Sequence, residues 1–141
     1  SYFKFAFVRN PFDRFVSYCA FMNRNNPDFH DRPQSYMYNT LMSKKNKKHI
    51  LFQPQHKFIC DENENLLTDF VGRFETLEND YHLVCQKLGL QKPRLQKVNG
   101  SQHNHFSEYY NEELLDFVKE YYKKDFEIFN YSTELSIPNR A

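Results

Sequence analysis

The spacing of apolar residues changes once near the start of the chain. Tyr2–Val8 is rich in aromatic and β-branched residues around Lys4, which is typical of a buried strand. From Pro11 onward, apolar residues recur every three or four positions, so a helix is predicted. Asn10 is a favourable N-cap, and proline suits the first helical position. The predicted core face of this helix consists of Phe12, Phe15, Val16, Cys19 and Met22.

The rest of the chain predicts shorter elements separated by polar loops. Two helices have clear boundaries: Leu77–Leu88, which Gly89 ends, and a last helix with Asn111 as N-cap. The less regular stretches predict a loop at residues 24–35, a short helix at Ser35–Lys45, strands at Lys57–Cys60 and Leu66–Phe74, and a long loop at Gln91–Phe106. With no internal repeat, this order predicts a single α/β domain over residues 1–141.

Composition limits the possible functions. The 15 Phe and 10 Tyr of the chain are sufficient for a packed core, and no apolar run approaches the ~18 residues of a membrane helix. A net charge of +1 argues against a general nucleic-acid binder, so electrostatic function must come from locally grouped cations. The widely spaced Cys19, Cys60 and Cys85 are predicted to be buried thiols, and Cys19, on the core face, is expected to be inert.

The corner between the first strand and helix combines groups that suit an anion. Arg9 follows the strand, where α/β sheets present ligands, and the helix start offers unpaired backbone N–H groups. An arginine with a serine hydroxyl such as Ser17 matches a phosphate dianion. Two plainer interpretations stay open from these residues alone. Arg9 can pair with a core carboxylate, and the Asn-Pro pair can simply begin a helix.

The string Val8–Tyr18, VRNPFDRFVSY, resembles a motif of the sulfotransferases that use 3′-phosphoadenosine 5′-phosphosulfate (PAPS). The similarity is to the carbohydrate-type, membrane-associated branch and its microbial relatives. It implies that Arg9 and Ser17 bind the 3′-phosphate of the donor. Arg14 matches a second arginine of the motif, which either joins this site or braces the loop through a salt bridge.

Three later stretches extend the resemblance over most of the chain. They are QPQHKFIC (Gln53–Cys60), DFVGRFETLENDY (Asp69–Tyr81), and Lys97–Ser101 followed by a Tyr-Tyr pair. In relatives the last of these folds over the nucleotide, which implies that Asn99 and Ser101 lie near the cofactor. In this branch a His often stands three residues before the Pro of the first stretch. Leu51 occupies that place here, so no role of that His is transferred.

The resemblance implies a P-loop nucleotide-kinase-like fold, with a parallel sheet flanked by helices, and a sulfuryl transfer from PAPS to an acceptor hydroxyl, taken to be that of a carbohydrate. The family's first strand-loop-helix, whose Lys and Ser/Thr hold the 5′-phosphosulfate, is not found in this sequence. It is expected upstream, together with the general base, so the chain would be the C-terminal part of the family domain. These 141 residues alone are then expected to be inactive and to bind the product 3′-phosphoadenosine 5′-phosphate (PAP) weakly.

Other interpretations of function stay open. A small-molecule kinase sharing the sheet would need a Gly-Lys-Ser/Thr loop and a magnesium-binding carboxylate, and a decayed sulfotransferase would be a non-catalytic nucleotide-binding module. Two compartments also stay open: the Golgi lumen for the anchored branch and the cytoplasm for microbial relatives. The sequons at Asn99 and Asn130 matter only in a lumenal or secreted protein.

The remaining polar clusters are weaker candidates. The histidines at 49, 56, 103 and 105 lack the further ligands that zinc needs and are predicted to be solvated, with a base role for His56 as the less favoured alternative. The chemistry implied by the family requires no metal. The basic run Lys44–Lys48 is predicted to be a solvated loop, with attraction of an anionic glycan as the alternative.

Overall fold

The helix predicted after Asn10 is present, and the strand predicted as buried over Tyr2–Val8 is present over its last four residues, of which only Val8 is buried. The computed structural model describes residues 2–91 and 105–136. Strand β1 is Phe5–Val8, and helix α1 is Pro11–Met22. The remaining elements, in chain order, are α2 Pro33–Met42, α3 Lys44–Lys47, α4 His56–Ile59, β2 Phe70–Arg73, α5 Leu77–Leu88, α6 Glu112–Tyr121 and α7 Lys123–Ile128. Three short 3₁₀ helices are added at Pro27–Phe29, Phe74–Thr76 and Phe106–Tyr109.

The chain divides into two compact units. Unit 1 consists of Ser1–Asn10 and Gln55–Gly100, and unit 2 of Pro11–Pro54 and Ser101–Ala141. The helices and the small parallel sheet agree with the predicted α/β class. The single domain over residues 1–141 stays a prediction.

Unit 1 contains the sheet. Strands β1 and β2 pair in parallel, from Phe5 opposite Phe70 to Val8 opposite Arg73. A Cβ on Gly72 would lie 2.4 Å from the ring of Phe7, so this close approach requires glycine. Helix α5 follows β2 and ends as predicted at Gly89, whose left-handed backbone (φ 69°) lets its N–H reach the last carbonyls of the helix.

Unit 2 is built around aromatic side chains. The predicted core face of α1 is buried except at Met22, which is 43% exposed. Against it pack α2, α6 and the 3₁₀ turn at Phe106–Tyr109. Asn111 caps α6 as predicted, accepting the N–H of Leu114 at 2.9 Å. The core cluster includes Phe12, Phe15, Val16, Cys19, Phe29, Met37, Leu41, Phe52, Tyr110, Leu114, Val118, Tyr122 and Phe126.

One predicted strand is wrong in type. The strand predicted at Lys57–Cys60 is instead the helical turn α4, in which the N–H of Cys60 donates to the carbonyl of His56 at 2.9 Å. Cys60 makes only an isolated antiparallel bridge with Leu66. Four residues are too short for a repeat pattern to distinguish a strand from a helical turn, so tertiary contacts decide the conformation.

Two other elements are shorter than predicted, and one loop is structured. The strand expected over Leu66–Phe74 is confined to β2, because the chain bends at Thr68 and Asp69 before it and turns into the 3₁₀ helix at Phe74–Thr76 after it. The helix expected over Ser35–Lys45 is interrupted at Ser43, which is extended and whose hydroxyl caps α3. The loop predicted at residues 24–35 contains the 3₁₀ helix at Pro27–Phe29 and the start of α2. Most of the predicted loop Gln91–Phe106 lies outside the described residues.

Candidate functional site

Arg9 lies immediately beyond the carboxyl end of β1, in unit 1, and is half-buried. Its guanidinium carbon lies 4.2 Å from the centre of the Phe74 ring, within the range of a cation–π contact. Val8 and Arg73 form the last pair of the ladder, and Arg9 and Phe74 are the residues that directly follow it on the two strands. The pairing of the two strands therefore brings the cation and the ring together.

The side chain of Gln55 forms hydrogen bonds with both polar groups of the Arg9 backbone. The N–H of Arg9 donates to Oε1 of Gln55 at 2.9 Å, and Nε2 of Gln55 donates to the carbonyl of Arg9, also at 2.9 Å. The Gln55 residue is buried, with 7% of its surface exposed. Its carboxamide thus takes the place that a neighbouring strand would occupy in a longer ladder.

The turn after β2 holds the other edge of the same segment. Oε2 of Glu75 accepts the N–H of Asn10 at 2.9 Å. The turn is anchored by Asp80, whose Oδ2 accepts the N–H of Arg73 at 2.7 Å and the hydroxyl of Thr76 at 2.9 Å. Side chains from two separate parts of unit 1 therefore fix Arg9 and Asn10.

Arg14 lies in unit 2, on the first turn of α1. Its Nη1 donates to the carbonyl of Gln53 at 2.8 Å. The hydroxyl of Tyr122 donates to the adjacent carbonyl of Phe52 at 2.6 Å. Burial raises the pKa of Tyr122, and the positive charge of Arg14 partly opposes that rise. One arm of Arg14 therefore braces the loop before Gln55 through a backbone carbonyl.

Ser17 lies on the second turn of α1, also in unit 2, and is half-buried. The helix begins at Pro11, and the start of a helix, with its dipole and backbone N–H groups, attracts anions. Asp13 is the acidic residue of this turn. Asn99 and Ser101 lie outside the described residues.

The other polar candidates belong to different surroundings. His56 opens α4 and is half-buried, and His49 is exposed, with its ring 5.5 Å from that of Tyr18. The basic run forms the short helix α3 rather than a loop. Among residues 2–91 and 105–136, no group of three or more potential ligand side chains is placed to hold a metal ion.

Cys19 is fully buried in unit 2. Burial raises the pKa of its thiol to about 12, against a weaker opposing effect of its hydrogen bond with Thr40. The thiolate is the reactive form of cysteine, so Cys19 is unreactive at neutral pH. This agrees with the inert role predicted for it.

A cleft of about 470 Å³ opens in unit 1, away from Arg9. Phe3 and Phe70 contribute to its apolar wall, and Asp69 and Lys87 are among its polar residues. Phe70 is the first residue of β2, whereas Arg9 follows the last residue of β1, so the cleft and Arg9 lie at opposite ends of the parallel sheet. The cleft contains none of the residues predicted for the site.

Gln55 and Phe74 are the functional candidates that motif analysis missed. Both stand inside stretches that were singled out for resemblance, but neither had a role assigned. Two local features mark these residues. Gln55 follows a proline and is buried, and the side chain of Phe74 is 46% exposed although it is apolar. Neither signal identifies Arg9 as the partner.

Comparison with known proteins gives the family. The model of the sulfotransferase family matches residues 1–132. Carbohydrate sulfotransferase 11 of Mus musculus is 29% identical over 179 aligned positions, covering 99% of this chain and 48% of the relative. The protein of the same name from Rattus norvegicus is 28% identical with the same coverage. The chain thus spans about half the length of the curated relatives it matches. No solved structure matches the chain.

The chain belongs to the sulfotransferase family. This confirms the resemblance inferred from Val8–Tyr18 and the later stretches. No helix in the described ranges has the length and apolar composition needed to span a bilayer.

Proposed function

We propose that this chain is part of an enzyme that transfers a sulfuryl group from PAPS to a hydroxyl group of a carbohydrate. Membership of the sulfotransferase family supports the reaction class. The relatives named carbohydrate sulfotransferase 11 support the acceptor class. Within this function, the segment Arg9–Ser17 binds the 3′-phosphate of the donor.

The fixed position of Arg9 carries this proposal. Its backbone N–H and carbonyl are both taken by Gln55, and its guanidinium stacks on Phe74 at the carboxyl end of a parallel strand. Ligands of open α/β sheets bind at that end of the strands. A guanidinium held in one orientation loses less freedom when it binds a phosphate, so its hydrogen bonds contribute more to affinity.

The remaining donors of the site also suit a phosphate. Ser17 supplies a hydroxyl, and the start of α1 supplies backbone N–H groups and the positive end of the helix dipole. Arg14 adds positive charge while it braces the loop at Gln53. Asn99 and Ser101 complete the proposed set from the nucleotide-covering loop of the family.

The larger fold is part of the proposal. We place β1 and β2 in the parallel sheet of a P-loop nucleotide-kinase-like domain, whose first strand-loop-helix precedes this segment in the natural protein. That loop would hold the 5′-phosphosulfate, and the general base would lie near it. The acceptor oxygen then attacks sulfur, the bond from sulfur to the bridging phosphate oxygen breaks, the base takes the acceptor proton, and PAP leaves.

Binding of PAP to the natural protein tests the assignment of Arg9. A hydrogen bond to a charged group contributes about 1.5–3 kcal/mol, so Arg9→Ala should raise the Kd of PAP about ten- to a few hundredfold in calorimetric titration. Arg24→Ala is the matched control, because the Arg24 guanidinium also stacks on a phenylalanine, Phe21, at 4.3 Å. The control should leave the Kd unchanged. An unchanged Kd in Arg9→Ala would show that Arg9 does not bind the phosphate.

Thermal protection separates the competing functions. A PAPS-dependent sulfotransferase should be stabilised by PAP and not by ATP with magnesium, because only PAP carries the 3′-phosphate. Stabilisation by ATP with magnesium alone would favour a kinase. Protection by PAP without sulfate transfer to any carbohydrate would favour a non-catalytic nucleotide-binding module.

A further inference from the structure

We infer that Gln55 is a positioning residue that orients Arg9 and thereby sets how strongly the donor's 3′-phosphate contributes to binding. This inference rests on the proposed function, because it assigns Gln55 a role in the same site. Gln55 itself is expected to touch the backbone of Arg9 and not the nucleotide.

The chemistry of the carboxamide explains why glutamine suits this position. The backbone of a residue offers one hydrogen-bond donor and one acceptor. The oxygen of the carboxamide accepts from the first, and its NH₂ group donates to the second. A carboxylate could only accept, so it would leave the carbonyl of Arg9 without its donor. Leucine could form a hydrogen bond with neither group. The two contacts of 2.9 Å fix the direction of the Arg9 backbone, and with it the origin of the side chain.

The opposite edge of the segment is fixed independently. A strand presents the backbone groups of successive residues to its two edges. Gln55 takes those of Arg9, and Glu75 takes the N–H of the next residue, Asn10, at 2.9 Å. Phe74, next to Glu75, supports the guanidinium itself. All these contacts lie within unit 1.

The contribution of the 3′-phosphate can be measured directly in the natural protein. Adenosine 5′-phosphate lacks that group, so the ratio of its Kd to the Kd of PAP reports what the 3′-phosphate adds. Gln55→Leu should lower this ratio about tenfold, through weaker binding of PAP, because two hydrogen bonds that position Arg9 are lost. Gln55→Glu keeps the size of the side chain and should also lower the ratio, and it serves as the test if Gln55→Leu does not fold.

Gln34→Leu is the matched control. Nε2 of Gln34 donates to the carbonyl of Tyr109 at 3.1 Å, in unit 2, so this variant also removes a hydrogen bond between a glutamine side chain and the backbone. It should leave the ratio unchanged. If the Gln55 variants weaken PAP and adenosine 5′-phosphate equally, or only lower the Tm, Gln55 has a merely structural role and the inference is overturned.

A double-mutant cycle distinguishes this inference from the proposed function. If Gln55 acts through Arg9, Gln55→Leu should change the Kd of PAP less than about twofold in the Arg9→Ala background. Arg9→Ala without effect on PAP would refute the proposed function. Weaker PAP binding in Arg9→Ala, together with a native ratio in both Gln55 variants, would refute the positioning role alone.

Discussion

The two compact units are held by different kinds of contact. Unit 2 has a continuous core of aromatic and aliphatic side chains, among them Phe12, Phe52 and Phe126. The described part of unit 1 buries fewer large side chains and leaves others, such as Phe58 and Leu67, more than half exposed. Unit 1 instead fixes its chain with contacts from side chains to the backbone, as Gln55 does at Arg9.

Under the proposed function, this difference separates stability from ligand positioning. Apolar burial is the main source of folding free energy, so substitutions in the core of unit 2 should mainly affect unfolding. Directional hydrogen bonds add less stability but fix orientation, so substitutions around Arg9 should mainly affect binding. The comparison predicts that the free energy of unfolding and the affinity for PAP can be changed independently by different substitutions.

The largest expected effect is on the core of unit 2. Phe12 is 1% exposed and its ring lies 4.9 Å from that of Phe126, between centres. Phe12→Ala should lower the free energy of unfolding by about 3–5 kcal/mol, measured by urea denaturation. Phe58→Ala, at a residue of unit 1 that is 52% exposed, is the control and should cost less than about 1 kcal/mol. Equal losses in the two variants would contradict the comparison.

How well a feature is predicted from the sequence depends on how far apart in the chain the interacting residues lie. Helices α1 and α6 were predicted because a cap and a repeated apolar spacing are local signals. Helix α4 was predicted as a strand because its four residues carry no repeat. The partners of Arg9 and Asn10 stand 46 and 65 residues further along the chain, at Gln55 and Glu75. No local pattern reports such contacts, although the resemblance to the family motif made Arg9 itself a candidate.

An intermediate effect is expected from a buried hydroxyl of unit 2. The hydroxyl of Tyr110 donates to the carbonyl of Phe12 at 2.7 Å. Tyr110→Phe leaves that buried carbonyl without this donor, so the free energy of unfolding should fall by about 1–3 kcal/mol. Tyr2→Phe, at a residue 92% exposed, should change it by less than about 0.5 kcal/mol. A large loss in Tyr2→Phe, or none in Tyr110→Phe, would show that burial does not determine the cost of losing a hydroxyl here.

The smallest effect on stability, with a measurable effect on binding, is expected at Phe74. This side chain is 46% exposed, so Phe74→Leu should lower the free energy of unfolding by less than about 1 kcal/mol. A partly exposed cation–π contact contributes about 0.5–1 kcal/mol, so the loss of the ring under Arg9 should raise the Kd of PAP about two- to fivefold.

Phe21→Leu provides the matched control for Phe74→Leu, because Phe21 is 41% exposed and carries the Arg24 guanidinium in the same way. The two variants should lose similar stability, but only Phe74→Leu should weaken PAP in titration calorimetry. If both variants weaken PAP equally, the ring at 74 acts through stability and not through Arg9. If only Phe74→Leu does so, the exposed position of Phe74 is explained by its contact with the Arg9 guanidinium. The orientation of Arg9 in unit 1 can then be changed without disturbing the packed core of unit 2.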